Sequence, residues 1–406
     1  MNEDRLRELL RDRPIPDEEA AEERAWRVVR VAFEERDRKP APAVHRRRAR
    51  LVLALAAALV LAAALALTPA GAKVGDLISD VVDPGRERAE PVLTELPTGG
   101  RLLVESSRGP WIVQPDGSKR LLGDYDYATW SPSGLFVAVT RGHELIAVVG
   151  DQSAVGEPAG TVRWSLARPQ RVRDPVWVGP QVATRIAYRS GDSLRVVAGD
   201  GTDDRLLDPR VSDTSPAWKP GGRHLLSYAD RNGRVRLVNA DSGRELWASG
   251  RITTDIENLA WSPDGQSLLV LTSSFFVLLD ESGRSIAKGP TGEAAEAAAF
   301  SPRSGRIALV RRSAGKAPTG RSELVLLGPD GFGERRLFNG PGRFTDVTWS
   351  PDGEWLLLSW KEADQWLFIR PSDERVVAVS NISRQFDPGA SEPAPFPRVA
   401  GWCCSP

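Results

Sequence analysis

Residues that could carry chemistry are scarce in this chain of 406 amino acids. It has three histidines, His45, His143 and His224, and two cysteines, Cys403 and Cys404. Its sequence lacks the spacings that build a zinc-protease helix, a nucleophile elbow, a phosphate-binding loop or a dinucleotide fingerprint. We therefore predict no catalytic residues, no metal ligands and no cofactor, and we do not expect an enzyme.

Two groups of acidic residues are the remaining candidates for chemistry. The stretch GDGTDD, Gly199–Asp204, clusters oxygen-bearing side chains that suit Ca²⁺, but its spacing is not that of an EF-hand and favours a turn before a strand. Catalysis by carboxylates would require Asp264 and Asp352 to converge in one site. An envelope enzyme is therefore less favoured than the other two hypotheses, a binding module and a transmembrane regulator.

The adjacent cysteines leave three states open. Cys403 and Cys404 can form a vicinal disulfide, pair with another chain, or be small buried residues of the closing strand. Neighbouring residues of a strand point to opposite faces, which opposes a vicinal bond unless the strand has ended. The third state is the favoured interpretation.

The elements that position these residues come from a repeat. A sequence such as LAWSPDGQSLLVLT, residues 259–272, recurs at intervals of about forty to fifty residues. This spacing is typical of repeat architectures. Each copy predicts a strand, a tight turn and a second strand, followed by two more short strands. The aromatic residue of the phrase, which we expect to pack between neighbouring units, stands at Trp130, Trp177, Trp218, Trp261, Phe300, Trp349 and Trp402.

Four-stranded units at this period predict an all-β fold, a β-propeller. The end of the chain, PRVAGWCCSP, supplies one first strand, whereas residues 100–123 read as strands two to four without a first. We expect the C-terminal strand to complete that blade and close the ring. The count is then seven blades, or six if the degenerate unit at Trp177 is an insertion.

The repeat resembles the WD40-like β-propeller repeats, also called PD40 or TolB-like, of bacterial envelope proteins. The hallmark WSPDG is intact at residues 261–265 and 349–353, and the resemblance covers roughly residues 100–406. It implies an interaction module or scaffold, since no hydrolase domain follows.

A single apolar stretch precedes the repeat. Leu51–Leu67 has no polar residue and, continued to Ala72, covers most of a bilayer core, so residues 51–72 are predicted to form a transmembrane helix. The cluster HRRRAR precedes it and aspartates follow, which places the N-terminus in the cytoplasm by the positive-inside rule. A signal peptide cleaved at Ala72 is the competing interpretation.

The N-terminal residues 1–50 predict two short amphipathic helices in the cytoplasm. Trp26, Val29 and Phe33 lie on one side of the second helix and form a candidate partner-binding surface. This surface suits either a cytoplasmic protein partner of residues 1–45 or the membrane surface.

These predictions divide the chain into four parts: residues 1–50 in the cytoplasm, a helix over 51–72, a juxtamembrane stalk over 73–99 and an extracytoplasmic propeller over 100–406. With 54 basic and 54 acidic residues the formal net charge is zero, which argues against a nucleic-acid partner. We expect a non-catalytic binding or scaffolding module of the cell membrane, with a protein, a peptide or an envelope polymer as ligand. The alternative is a transmembrane regulator with the layout of bacterial anti-sigma proteins, although residues 1–50 lack that class's zinc-binding pattern.

Overall fold

The computed structural model of the protein describes residues 92–179, 183–221, 223–290, 294–313, 320–390 and 394–404. The predicted cytoplasmic helices with Trp26, Val29 and Phe33, the predicted helix over 51–72 and most of the stalk lie outside these residues. Within them, no helix is long and apolar enough to cross a membrane.

The described residues form 28 strands in seven antiparallel sheets of four strands each, which are the seven blades of a β-propeller. The unit at Trp177 forms a complete blade, so the count is seven. The first three strands in the chain belong to the blade that closes the ring, blade 7, and are β1 (Arg101–Ser106), β2 (Gly109–Val113) and β3 (Lys119–Leu121).

Blades 1 to 3 follow in chain order. Blade 1 has β4 (Ala128–Trp130), β5 (Phe136–Arg141), β6 (Glu144–Val149) and β7 (Val162–Ala167), with the short helix α1 (Gln152–Val155) before β7. Blade 2 has β8 (Val172–Val178), β9 (Arg185–Ser190), β10 (Ser193–Ala198) and β11 (Arg205–Asp208). Blade 3 has β12 (Ala217–Trp218), β13 (Leu225–Ala229), β14 (Val235–Asn239) and β15 (Glu245–Ala248).

Blades 4 to 6 repeat the arrangement. Blade 4 has β16 (Ile256–Trp261), β17 (Ser267–Thr272), β18 (Phe275–Asp280) and β19 (Ser285–Pro290). Blade 5 has β20 (Ala295–Phe300), β21 (Ile307–Ser313), β22 (Arg321–Leu327) and β23 (Arg335–Pro341). Blade 6 has β24 (Phe344–Trp349), β25 (Leu356–Trp360), β26 (Gln365–Arg370) and β27 (Arg375–Ser380). The helix α2 (Ile382–Phe386) and the last strand, β28 (Arg398–Cys403), follow.

The Ser-Pro-Asp-Gly sequence makes the turn between the first two strands of a blade. In blade 4 the Ser262 hydroxyl donates to Asp264 at 2.6 Å and accepts the amide of Ser267 at 2.9 Å. The Gly265 amide donates to the Ser262 carbonyl at 2.9 Å, and Gly265 has φ +69°, a conformation that favours glycine. The motif is thus a structural turn.

Buried side chains form seven clusters, one between each pair of neighbouring blades. For example, Leu237 of blade 3 packs with Trp261 and Leu268 of blade 4. The second and third strands of each blade are buried on both faces, whereas outer strands such as β7 and β15 are largely exposed. Packing between blades therefore supplies the core.

Ring closure follows the predicted pattern, because β28 pairs with β1 and completes the sheet of β1, β2 and β3. Trp402 of β28 is 7% exposed and meets Phe368 of blade 6 edge to face at 5.8 Å. Residues 92–99, predicted as the end of the stalk, pack here too: Leu93 and Leu96 are buried in the same cluster. The packed region thus includes residues just before position 100.

Candidate functional site at the mouth of the central channel

The innermost strands of the seven blades form a ring around the central channel. They are β28, β4, β8, β12, β16, β20 and β24, and each contacts the next around the ring. A β-bulge interrupts the pairing of five of them, namely β8, β16, β20, β24 and β28. A bulge adds an unpaired residue and re-aims its side chain.

An acidic residue stands at the bulge in four of these strands. The residues are Asp174 of β8, Glu257 of β16, Glu296 of β20 and Asp346 of β24. Each lies near the start of its inner strand, so the four carboxylates belong to the same end of the channel. We call this end the channel mouth.

A single arginine of the closing strand interacts with two of these carboxylates and with a third, buried one. Arg398 of β28 lies 2.8 Å through Nε and 2.6 Å through Nη2 from Oε2 of the buried Glu105 on β1. It also interacts electrostatically with Asp346 of blade 6 and Asp174 of blade 2. Asp346 lies in the blade before blade 7, whereas blade 1 separates Asp174 from blade 7.

Burial and the charge of Arg398 have opposite effects on the pKa values of the nearby carboxyl groups. Burial raises the pKa of Glu105, Asp346 and Asp174, and the charge of Arg398 opposes this rise at each of them. One guanidinium thus faces three carboxyl groups. Burial also raises the pKa of Glu257, and the neighbouring carboxylates of Asp255 and Glu296 raise it further.

Further arginines fix the carboxylates around the rim. Arg189 of β9 is 2% exposed and lies 3.1 Å from Asp174, and it also contacts Asp213. Arg343 and Arg312 lie 2.6 and 3.0 Å from Glu296. These ion pairs neutralise Asp174 and Glu296, whereas Glu257 and Asp346 form no salt bridge within the described residues, so the arrangement suits a cationic group of a ligand.

The described residues contain no group of three or more His, Cys, Asp or Glu side chains placed to hold a metal ion. In the GDGTDD stretch, Asp200 accepts hydrogen bonds from Thr202 within its own turn, and Asp204 pairs with Arg168 and Arg195. This stretch is a turn, with one ion pair inside blade 2 to Arg195 and one to Arg168, which follows β7 of blade 1.

The two carboxylates that a hydrolytic site would have used are also turn residues. Asp264 accepts from Ser262, and Asp352 accepts from the hydroxyls of Ser350 and Thr98. They stabilise the turns of blades 4 and 6, and they do not converge.

The structure places the seven motif aromatics apart, at the ends of the inner strands, each at a junction between blades. Three of their indole nitrogens donate to the preceding blade: Trp218 to the Val176 carbonyl at 2.9 Å, Trp261 to the Ser227 hydroxyl at 3.0 Å and Trp349 to the Ala299 carbonyl at 3.1 Å. Trp130, Trp177 and Trp402 bury an indole nitrogen with no hydrogen-bond partner among the described residues. Phe300 packs beside the cluster between blades 4 and 5.

Sequence reasoning missed the channel mouth, although a signal for it exists. In the inner strands, or just before them, a charged or hydroxyl residue stands three or four positions before the motif aromatic. These residues are Asp126, Asp174, Thr214, Glu257, Glu296, Asp346 and Arg398. A charged residue three or four positions before the aromatic in six of the seven repeats was the available sign that one end of the channel is charged.

Comparisons with known proteins support the fold and leave the family open. No family model matches the chain. A stretch of 149 residues, 36% of the chain, is 30% identical to the "Uncharacterized peptidase YuxL" of Bacillus subtilis strain 168. The match spans about a fifth of that relative's length, 21%.

Solved structures resemble the chain in fold. A candidate 6-phosphogluconolactonase from Bacteroides uniformis is 15% identical, with a TM-score of 0.51 over 69% of this chain and 97% of that one. KlHsv2 with a Gly-Ser linker in place of loop 6CD is 11% identical, with a TM-score of 0.50 over 70% and 94%. The WD40 domain of Neurospora crassa Pan2 is 10% identical, with a TM-score of 0.47 over 63% and 78%. At 15% and 11% identity, the first two likenesses show the fold alone.

Proposed function

We propose that this protein is a non-catalytic binding or scaffolding module that holds a cationic segment of a protein or peptide at its channel mouth. The observation that carries the proposal is that Asp174, Glu257, Glu296 and Asp346 stand at the bulges of four inner strands, at the same end of the channel. Seven blades offer a rigid frame for such a site, since each inner strand is packed by its neighbours.

A positive group of the ligand would improve the electrostatics of the mouth. A lysine or arginine side chain beside Glu257 would offset the burial and the repulsion that raise the pKa of Glu257, and one beside Asp346 would offset the burial that raises the pKa there. Binding of this kind weakens as salt screens the charges.

We propose further that the propeller belongs to a membrane-anchored bacterial envelope protein of the PD40 or TolB-like type. The support is the apolar stretch of residues 51–72 with arginines before it and aspartates after it, and the intact WSPDG motifs. The proposed topology has the N-terminus in the cytoplasm and the propeller outside. In the alternative of a transmembrane regulator, residues 1–45 would bind a cytoplasmic protein when the propeller responds to its ligand.

The binding proposal is tested with the full chain in lipid nanodiscs and a labelled oligolysine peptide, with oligoglutamate of the same length as the charge control. We expect oligolysine to bind, and the Glu257→Gln/Asp346→Asn variant to bind several-fold more weakly. Asp116→Asn is the matched control, because Asp116 lies in an exposed turn of blade 7. Equal binding by all variants, or preference for oligoglutamate, would refute a cation site at the mouth.

The topology is tested by fusing reporters that are active only outside the cytoplasm. A fusion after residue 95 should be active and a fusion before residue 45 should be silent. The reverse pattern would overturn the proposed orientation.

A further inference from the structure

The two cysteines of the chain are joined in a disulfide between adjacent residues. This corrects the favoured expectation of two small buried residues of the closing strand that are not bonded to each other. The bond is possible because β28 ends at Cys403, and Cys404 leaves the strand with φ +62°. The strand geometry that points neighbouring side chains to opposite faces therefore ends between Cys403 and Cys404.

The disulfide lies where blade 7 meets blade 1, at the wall of a cavity. Cys404 lines a cavity of about 740 Å³ together with Arg101, Arg120, Ser133 and Gln152. Both cysteines are partly exposed. Cys403 also packs against the cluster between these blades, so Cys404 presents the more accessible sulfur.

A fixed positive charge stands beside that sulfur. A Cβ placed on Gly134 would lie within 3.0 Å of both Cys404 Sγ and a guanidinium nitrogen of Arg101, so the two groups are near neighbours. Arg101 is held there by the Gly134 carbonyl at 2.9 Å, by Asp151 at 3.0 Å and by the ring of Trp130 at 5.1 Å. A partly exposed cysteine beside a guanidinium is the environment that stabilises a thiolate.

We propose that Cys403 and Cys404 form a thiol–disulfide exchange site whose reaction partner is a dithiol that enters through this cavity. The partner's thiolate attacks Sγ of Cys404, the bond between the two cysteines breaks, and Cys403 leaves as a thiolate that takes up a proton. The partner's second thiol then attacks the mixed disulfide and releases the Cys404 thiolate beside Arg101. Two electrons pass from the dithiol, which becomes a disulfide, to the protein, which becomes a dithiol.

The same geometry assigns roles in the reverse direction. When the reduced protein is oxidised, the Cys404 thiolate beside Arg101 is the nucleophile and Cys403 resolves the mixed disulfide. The site is independent of the channel mouth, because Arg398 and Cys403 lie at opposite ends of β28.

The test uses the full chain in detergent, where these two residues are the only cysteines. After equilibration with oxidised glutathione, the native protein should be two hydrogens lighter than the reduced protein. Dithiothreitol should then expose two alkylatable thiols without unfolding. Free thiols in the oxidised sample, or resistance to dithiothreitol until the protein is denatured, would overturn the proposal.

Single variants separate the two sulfurs. Cys404 in Cys403→Ser should be alkylated at pH 7 about tenfold faster than Cys403 in Cys404→Ser. Arg101→Gln in the Cys403→Ser background should remove most of this difference, whereas Arg101→Lys should keep part of it. Because Arg101→Gln also loses the contact with Asp151, rising salt provides a second measurement: it should slow Cys404 selectively with the fold intact. Equal rates at the two positions, at low salt, would refute the assigned roles.

Discussion

Nη2 of Arg398 lies 2.6 Å from Oε2 of Glu105, and this ion pair joins residues 293 positions apart in the sequence. Arg398 begins the closing strand, and Glu105 lies on the neighbouring strand of the same blade. Glu105 also accepts the amide of Ala128 in blade 1 at 2.7 Å. One carboxylate thus ties the closing strand to the next blade.

We expect Arg398→Met to lower the free energy of unfolding by about 2 kcal/mol, because it leaves the buried Glu105 without its cation. Adding Glu105→Gln should recover part of the loss. Urea unfolding of the two single variants and the double variant measures the coupling directly. Strictly additive losses would show that the pair does not act as a unit.

Asp346→Asn should stabilise the protein at pH 7 by about 1 kcal/mol. Burial makes the ionised form of Asp346 unfavourable in the folded protein, and the substitution removes that charge. Burial raises the pKa of Asp346 in the folded protein above the usual 3.8, so the stability contributed by its protonated form is present below pH 3.8 and lost as pH rises through the raised pKa. Wild type and variant should therefore melt alike below pH 3.8 and diverge above it.

Asp116→Asn provides the contrast for that pH series. Hydrogen bonds from Ser118 lower the pKa of Asp116, so its carboxylate form is the favoured one in the folded state. Replacing it should bring no gain in melting temperature as pH rises. A gain equal to that of Asp346→Asn would indicate a general charge effect.

Trp402→Ala should cost about 3 to 5 kcal/mol, since it removes a buried aromatic residue from the junction of blades 6 and 7. Deletion of Pro397–Pro406 should cost more, because it also exposes the edge of β1. Thermal melting measures both. Phe332→Ala is the matched control, as this ring is 59% exposed and should change stability by less than about 0.5 kcal/mol.

Trp261→Phe and Trp130→Phe should differ although both residues occupy the same place in the repeat. Trp261 is 8% exposed and donates to the fully buried Ser227, so losing the donor should cost about 1 to 2 kcal/mol. The indole nitrogen of Trp130 has no partner among the described residues, so Phe should be tolerated better there. Chemical denaturation measures the free energy of unfolding of the two variants. Equal losses of stability would contradict a role for the indole hydrogen bond.

Residues 1–45, used as bait in cytoplasmic extract, should capture a specific protein that is lost with Trp26→Ala and Phe33→Ala. The expectation rests on the apolar side formed with Val29. Binding of the segment to lipid vesicles through the same residues, without protein capture, would assign the helices to the membrane surface.

Local sequence determined the propeller. Strand alternation, the Ser-Pro-Asp-Gly turn and the repeat spacing are properties of short stretches, and each predicts the same four-stranded unit. Even the composite blade was predictable, because Trp402 and residues 100–123 supply complementary parts of one repeat. The blade at Trp177 was ambiguous because its turn lacks the motif, and only the strand pairing of β8 with β9 showed it to be a complete blade.

The tertiary structure decided where charge and reactivity lie. Arg398, Asp346 and Asp174 are unremarkable in their own stretches, and closure of the ring brings them to one channel mouth. The disulfide likewise depended on β28 ending at Cys403, and the nearness of Cys404 to Arg101 depended on the pairing of β28 with β1, which sets Arg101 opposite Cys403. Sequence periodicity specifies the repeated backbone because it acts within one blade, whereas a site shared by several blades depends on distances that only the closed ring defines.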